Sequence, residues 1–246
     1  MAELAGRATA YSAARAELAT LRPVRQGNAF EETIERLLQS IKLGTFRVGD
    51  KLPPERELAD RLRVSRATLR EALSELQKAE YLEVRRGRYG GAYVAPLPKA
   101  SAQEPRPVEP SELEDALAFR GIIEPAAAEL AASMELSASS RRHLQTCLIE
   151  VGSSGEHQYR QLDSRLHLAI AEVTGVPSLV AAVADVRSRI NDYLDRIPLI
   201  GANLGNSQEQ HEEIVRAILV GDPAQAMEIS RRHVDGTALL LRGFLA

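Results

Sequence analysis

The chain has 246 residues, 44% of them hydrophobic, no tryptophan and a formal charge of −3. That length allows two modest cores without cross-links, and a lone cysteine, Cys147, excludes both an internal disulfide and a cysteine-rich zinc site. No apolar run approaches the roughly 20 residues of a bilayer span, and the N-terminus lacks the basic-then-apolar order of a secretion signal, so the expected location is the cytoplasm. The charge is uneven. Residues 25–94 hold 14 Lys/Arg against 11 Asp/Glu, a balance of +3, whereas residues 95–246 hold 14 against 21, a balance of −7. Residues 61–94 alone carry eight cations against four acids; such an excess suits a phosphate backbone, and a solvated surface explains it equally well.

An Ala-rich arm (1–28) precedes the first periodic segment, and its role is not legible. Phe30, Ile34, Leu37, Leu38 and Ile41 recur at three- and four-residue steps and predict a helix that Gly44 can end. Pro53 and Pro54 open a second helix striped by Leu58, Ala59 and Leu62, where a missing N–H in the first turn costs nothing. After the break at Val64, Ser65 is a good N-cap for a third helix striped by Leu69, Leu73 and Leu76. Two short helices across a tight turn suggest helix-turn-helix, a pattern shared by many ordinary helical proteins. The third helix carries Ser65, Arg66, Thr68 and Arg70 in its first two turns, where a recognition helix meets base edges, and Arg56 is placed to reach the backbone. For Arg70 the alternative is a surface ion pair with Glu71 or Glu75. Two short strands, Tyr81 to Val84 and Ala92 to Val94, then flank a cationic tip with Arg85, Arg86, Gly87 and Arg88; its glycines permit close approach and its arginines can follow a groove.

The run Gly49-Asp50-Lys51-Leu52-Pro53-Pro54-Glu55-Arg56-Glu57-Leu58-Ala59, followed by Val64-Ser65-Arg66-Ala67-Thr68-Leu69-Arg70-Glu71-Ala72-Leu73, resembles the GntR family of winged-helix regulators over about residues 29–95. The resemblance implies that Arg56, Arg66, Arg70 and Gly87 contact operator DNA.

Pro96, Pro98, Pro105, Pro107 and Pro110 mark residues 96–110 as a linker, because repeated proline breaks helices and removes ladder donors. Beyond it every periodic segment reads as helix: from a Ser111 cap to about Met134, from a Ser137 cap to about Val151, then about 156–174, 177–197, 205–220 and 222–243. The expected fold is therefore mainly α, a winged helix-turn-helix with a small β-hairpin followed by a six- or seven-helix bundle over 111–246.

Polar residues on these apolar stripes require an explanation. Asp163 and His167, four apart, share a face with Tyr159, Leu166 and Ile170; His211 shares one with Ile214, Val215 and Ile218; His233 shares one with Ala226, Ile229, Leu240 and Leu241. His211 and His233 lie ten and twelve residues from Gly221, so an antiparallel helix pair would bring them level. One carboxylate and three imidazoles could hold zinc, nickel, manganese or iron, zinc first; the alternative is a set of histidines satisfied within the core.

Phe119-Arg120 ahead of Ile123-Glu124, then Asp163-Ser164-Arg165-Leu166-His167, His211-Glu212-Glu213-Ile214 and His233 resemble the FCD effector domain of FadR-type GntR proteins over about residues 111–243. The resemblance implies a divalent metal on Asp163, His167, His211 and His233 and a small carboxylate effector held by Arg120, a role that suits a bidentate guanidinium. Arg187 and Asn191 are further pocket candidates, with exposed polar residues as the alternative. The expectation is a homodimeric, effector-controlled repressor on a palindromic operator, with the metal itself as signal as one alternative. A metalloenzyme is the other alternative; the chain has no HExxH, no phosphate-binding glycine loop and no obvious general base beside the proposed ligands.

Overall fold

The computed structural model describes residues 29–87, 90–96, 107–198 and 201–245, leaving out the side chains of 156, 157, 202 and 203. The arm at 1–28, Arg88 at the wing tip and residues 97–106 of the proline-rich stretch lie outside the described residues. The first unit contains α1 (Ala29–Lys42), α2 (Glu55–Leu62), α3 (Arg66–Lys78), β1 (Leu82–Arg85) and β2 (Gly91–Val94). The second contains α4 (Pro110–Ala132), α5 (Ala138–Gly152), α6 (Glu156–Glu172), α7 (Pro177–Leu194), α8 (Gly201–Val220) and α9 (Pro223–Leu245). The fold is thus mainly α, a winged helix-turn-helix joined to a helical bundle.

In the first unit the stripes meet as predicted: Leu37, Ile41, Leu58, Leu69, Leu73 and Leu76 form one core with Leu82 and Val94 of the hairpin. Ser65 caps α3, its Oγ accepting from the Thr68 amide at 3.0 Å, a bond of the kind that contributes about 1 kcal/mol. The strands pair antiparallel with Leu82 opposite Val94 and Arg85 opposite Gly91; β1 is shifted one residue from its predicted limits, and β2 starts one residue early and ends at Val94 as predicted. An additional extended stretch lies along β2: Gly49 donates to the Val94 carbonyl, Leu52 to that of Ala92, and Val94 to that of Asp50. Its charged and proline-rich sequence carries no period-2 signal.

In the bundle, α4 starts at Pro110, so the predicted Ser111 cap is wrong; Glu109 occupies the N-cap position without a side-chain cap bond. Proline at the first helical position satisfies the helix start without a cap, since its absent N–H is one the helix would leave unpaired. Helix α7 stops at Leu194, short of the predicted 197, where Arg196 and Ile197 turn back onto carbonyls three residues earlier ahead of Pro198. Helix α8 begins at Gly201, earlier than the predicted 205, and includes Gly205. Ser137 does cap α5, accepting from the Ser140 amide at 3.1 Å. Helices α8 and α9 form an antiparallel pair through Gly221 and Asp222, whose Oδ1 accepts from the Gln225 amide at 3.0 Å. Helix α4 packs along α9 and also meets α6, α7 and α8, which places its inner face at the centre of the bundle.

The two units meet at the end of α1. Leu43 is 1% exposed and belongs to the core of the bundle, a burial of the size that stabilises by about 1.5–3 kcal/mol. Gln161 of α6 donates its amide to the Ile41 carbonyl at 2.6 Å, which satisfies an end carbonyl of α1. Arg47 grips Glu150 of α5 through two bonds of 2.6 Å. Gly44 turns the chain with φ +72°, and a Cβ there would stand 2.9 Å from Cγ of Gln161. Gly49 also has positive φ, +87°, but open space around it. Gly44→Ala should therefore destabilise more than Gly49→Ala, which bears the backbone term alone, about 1 kcal/mol; equal losses in chemical denaturation would show that the Gln161 contact adds nothing.

Candidate metal and effector site

Five helices of the bundle turn a polar side chain toward one point. Arg120 and Glu124 come from α4, Asp163 and His167 from α6, Arg187 and Asn191 from α7, His211 from α8 and His233 from α9. All but Asn191, which is half-buried, are buried; Arg120, Arg187 and His211 are each 1% exposed. The pairs Arg120 and Glu124, Asp163 and His167, and Arg187 and Asn191 each stand four apart, so one helical face supplies both members.

One ligating atom from each of Asp163, His167, His211 and His233 can be chosen so that all lie within 4.8 Å of one another. The rings of His211 and His233 are 4.5 Å apart between centroids, those of His167 and His233 5.1 Å, and those of His167 and His211 5.4 Å. Oδ1 of Asp163 is 3.2 Å from Nε2 of His211 and 3.9 Å from Nε2 of His167. The first of these approaches is off the line of a hydrogen bond, and both ring nitrogens of His211, like Nε2 of His167, have no hydrogen-bond partner. Buried polar atoms without partners are uncommon and costly, so two unpartnered Nε2 atoms beside one carboxylate fit a group that accepts lone pairs. The donor set fits a divalent cation: three imidazoles and a carboxylate suit zinc and also nickel, manganese and iron.

Surrounding groups settle which atoms face that point. Nδ1 of His233 lies 3.1 Å from Oε1 of Gln210, so that nitrogen carries the proton and Nε2 keeps its lone pair. Nδ1 of His167 lies 3.0 Å from Oε2 of Glu124, a close approach without hydrogen-bond alignment. Asp163 turns its other oxygen to Arg187, whose Nη2 donates to it and to Oγ of Ser164. Asn191 donates to the same Ser164 oxygen at 2.8 Å. Burial works against ionised Asp163, but the Arg187 guanidinium holds its carboxyl well below the usual range. Burial likewise lowers the imidazoles of His167 and His233, which keeps them neutral and able to ligate.

Arg120 faces Glu124 at 3.1 Å, and its Nε and Nη1 have no aligned hydrogen-bond partner. It lines a cavity together with Asp163, Arg187 and His233. The structure thus brings the predicted Arg120 and Arg187 beside the four metal candidates. Asn191 reaches the cluster through Ser164 rather than by lining the cavity. For Arg187 the exposed alternative is wrong. Glu124 and Gln210 were not singled out as site residues. Glu124 had a visible signal, a carboxylate one turn beyond Arg120 on a buried stripe; Gln210 had none, since only the packing of α8 against α9 aims it at His233.

On the first unit, Arg56, Ser65, Arg66 and Arg70 are exposed and Thr68 half-buried on α2 and α3, and Arg86 and Gly87 are exposed at the described edge of the wing tip. Ser65 spends its oxygen on the helix cap and on Thr68, 2.8 Å away. Arg70 donates to Glu55 at 2.6 Å, not to Glu71 or Glu75. The pair joins two exposed side chains across the turn and adds little stability. No helix among the described residues is long and apolar enough to cross a membrane.

Residues 30–94 match the family model of bacterial regulatory proteins, gntR family, and residues 115–236 match the FCD domain. The chain is 33% identical over 225 residues to the Uxu operon regulator of Haemophilus influenzae, covering 83% of this chain and 79% of that protein. It is 29% identical over 224 residues to the Exu regulon transcriptional regulator of Escherichia coli, covering 86% and 84%. The HTH-type transcriptional regulator LutR of Bacillus subtilis is 28% identical over 216 residues, covering 83% and 97%. Among solved structures, E. coli McbR/YncC shares the fold, with a TM-score of 0.55 at 19% identity over 89% of this chain and 99% of that one. These relatives are regulators, which removes the metalloenzyme alternative. With a reading head on one side and a polar cavity inside the helical domain on the other, the chain belongs to the GntR family, as a DNA-binding transcription regulator with an FCD effector-binding domain.

Proposed function

We propose that the protein is a homodimeric repressor of the cytoplasm that holds a divalent metal, zinc first, on Asp163, His167, His211 and His233. A small carboxylate effector sits beside it on Arg120, with Arg187 in the wall and Asn191 behind it, bonded to Ser164. The operator is a palindrome gripped through Arg56, Ser65, Arg66, Thr68, Arg70, Arg86, Gly87 and Arg88. Residues 29–95 act as the reader and 111–246 as the sensor, with 96–110 as the tether between them and 1–28 as an arm. The observation that carries this reading is the convergence of four buried donors, three of whose nitrogens lack a hydrogen-bond partner, on the wall of a cavity lined by Arg120.

A bound metal would supply a Lewis-acid anchor for a carboxylate oxygen. The protein's own residues do the rest. Gln210 fixes the tautomer of His233, Glu124 stands beside Nδ1 of His167, Arg187 holds Asp163 in place, and Arg120 offers a guanidinium fork to the second point of the ligand. Ser65 and Thr68 hold the start of α3, while Arg66 and Arg70 present donors on its exposed first turns.

The purified protein should retain a metal through dialysis, and His211→Ala should lower zinc affinity by more than about 100-fold in a chelator competition. A wild-type chain whose metal content and melting temperature ignore added zinc would overturn the metal. Acidification gives a second check. Burial places the folded-state pKa of His167 and His233 below the ordinary 6.5. The unfolded chain then takes up protons that the folded one refuses, so the metal-free protein should lose stability as pH falls below about 6.5 and change little just above it. A melting temperature that rises over the same descent contradicts neutral buried imidazoles. On the DNA side, Arg66→Ala or Arg70→Ala should cost about 1–3 kcal/mol of operator binding and relax base preference at one position per half-site, with effector affinity unchanged. Unaltered operator affinity in fluorescence anisotropy sinks that assignment.

A further inference from the structure

The cavity beside the metal donors carries chemistry that the metal and Arg120 do not exhaust. Its lining includes Leu194, Ile197, Pro198, Leu204 and Leu240, an apolar wall. Three hydroxyls interrupt that wall: Tyr159 on α6, Ser207 on α8 and Thr237 on α9. Oη of Tyr159 is buried beside the Ser207 hydroxyl, in no aligned hydrogen bond. A phenol in that position is a donor waiting for an acceptor, and leaving it unmade costs free energy. Burial, reinforced by the negative charge of Asp163, raises the phenol's pKa and keeps it protonated.

The charges around the cavity can be counted. Arg120 and Arg187 contribute two positive charges and Asp163 and Glu124 two negative ones, and an imidazole that ligates a metal does so in its neutral form, so the residues of a metal-loaded site sum to zero. Arg160 also lines the cavity but is neutralised by Asp195, to which it donates at 2.6 Å. A divalent metal then leaves an uncompensated +2 in a poorly solvated space, where unbalanced charge is expensive. A monocarboxylate cancels half of it; a dicarboxylate cancels all.

We infer that the effector is a hydroxylated dicarboxylate, a dianion that neutralises the metal-loaded cavity and whose hydroxyl group is bonded by Tyr159. The inference rests on the metal reading of the site and adds the charge and functional groups of the ligand. One carboxylate meets the metal, the other meets Arg120, and the hydroxyl lies against Tyr159 with Ser207 and Thr237 in the same lining.

The test is calorimetric titration of the zinc-saturated, full-length protein with malate, succinate and lactate near neutral pH. Malate should bind at least about tenfold more tightly than lactate, which has the hydroxyl but a single charge, and several-fold more tightly than succinate, which has both charges and no hydroxyl. Tyr159→Phe should abolish the preference for malate over succinate while leaving succinate affinity unchanged. Lactate binding as tightly as malate overturns the charge argument. Malate binding no more tightly than succinate to the wild-type protein overturns the hydroxyl argument without any variant, and so does a Tyr159→Phe protein that loses both ligands equally. Failure of all three acids to bind a protein that retains zinc also refutes the inference, whereas failure to retain zinc refutes the metal reading beneath it.

Discussion

Burying charge in the middle of a helical bundle constrains the rest of this molecule. Two guanidinium groups, two carboxylates and three imidazoles occupy positions where aliphatic side chains would pack without penalty. Each ion there loses several kcal/mol of hydration, which only close partners can offset. The pairings of Arg187 with Asp163, Arg120 with Glu124, and Glu124 with His167 supply much of that compensation. The nitrogens that remain without partners show that the compensation is incomplete in the protein alone. A cluster so arranged sacrifices stability for the ability to take a ligand.

The same helix that carries Asp163 and His167 also touches the DNA-binding unit. Gln161 stands two residues before Asp163 in α6 and holds the last turn of α1 through the Ile41 carbonyl, while Leu43 sits in the core of the bundle. Helix α1 in turn packs on α3, which bears Arg66 and Arg70. A ligand that bound one position of α6 better than another would act on the first unit through the packed contacts of α6 with the end of α1. A tenfold change in operator affinity needs a differential of only about 1.4 kcal/mol, less than the burial of a single leucine supplies.

Most of the helices were legible in the sequence because their apolar stripes follow the 3.6-residue period closely, and the Ser65 and Ser137 caps were legible because a hydroxyl before a stripe has one good use. Limits set by proline were less so. At Pro110 the ring replaced the cap expected at Ser111, and ahead of Pro198 the helix closed early. The extended stretch beside β2 could not be read, since Gly49 to Leu52 earn their pairing from neighbours far along the chain rather than from any alternation of their own. In the site, Asp163, His167, His211 and His233 stood out because each breaks an apolar stripe. Tyr159 shares the stripe of Asp163 and passes for ordinary core, and Gln210 is inconspicuous among the polar residues around it.

Residue order alone therefore determined the two-unit organisation, the helix periods, the basic character of the first unit and the four polar residues that break the apolar stripes of the bundle, all of which are recorded locally along the chain. Packing between elements decided that Arg70 meets Glu55, that Arg187 turns inward to Asp163, that Glu124 lies beside His167 and that α6 clasps the end of α1. The division has a physical cause. Periodicity records which face of a helix avoids water, whereas the partner a buried charge finds on that face is set by the side chains that neighbouring helices bring within about 3 Å of it.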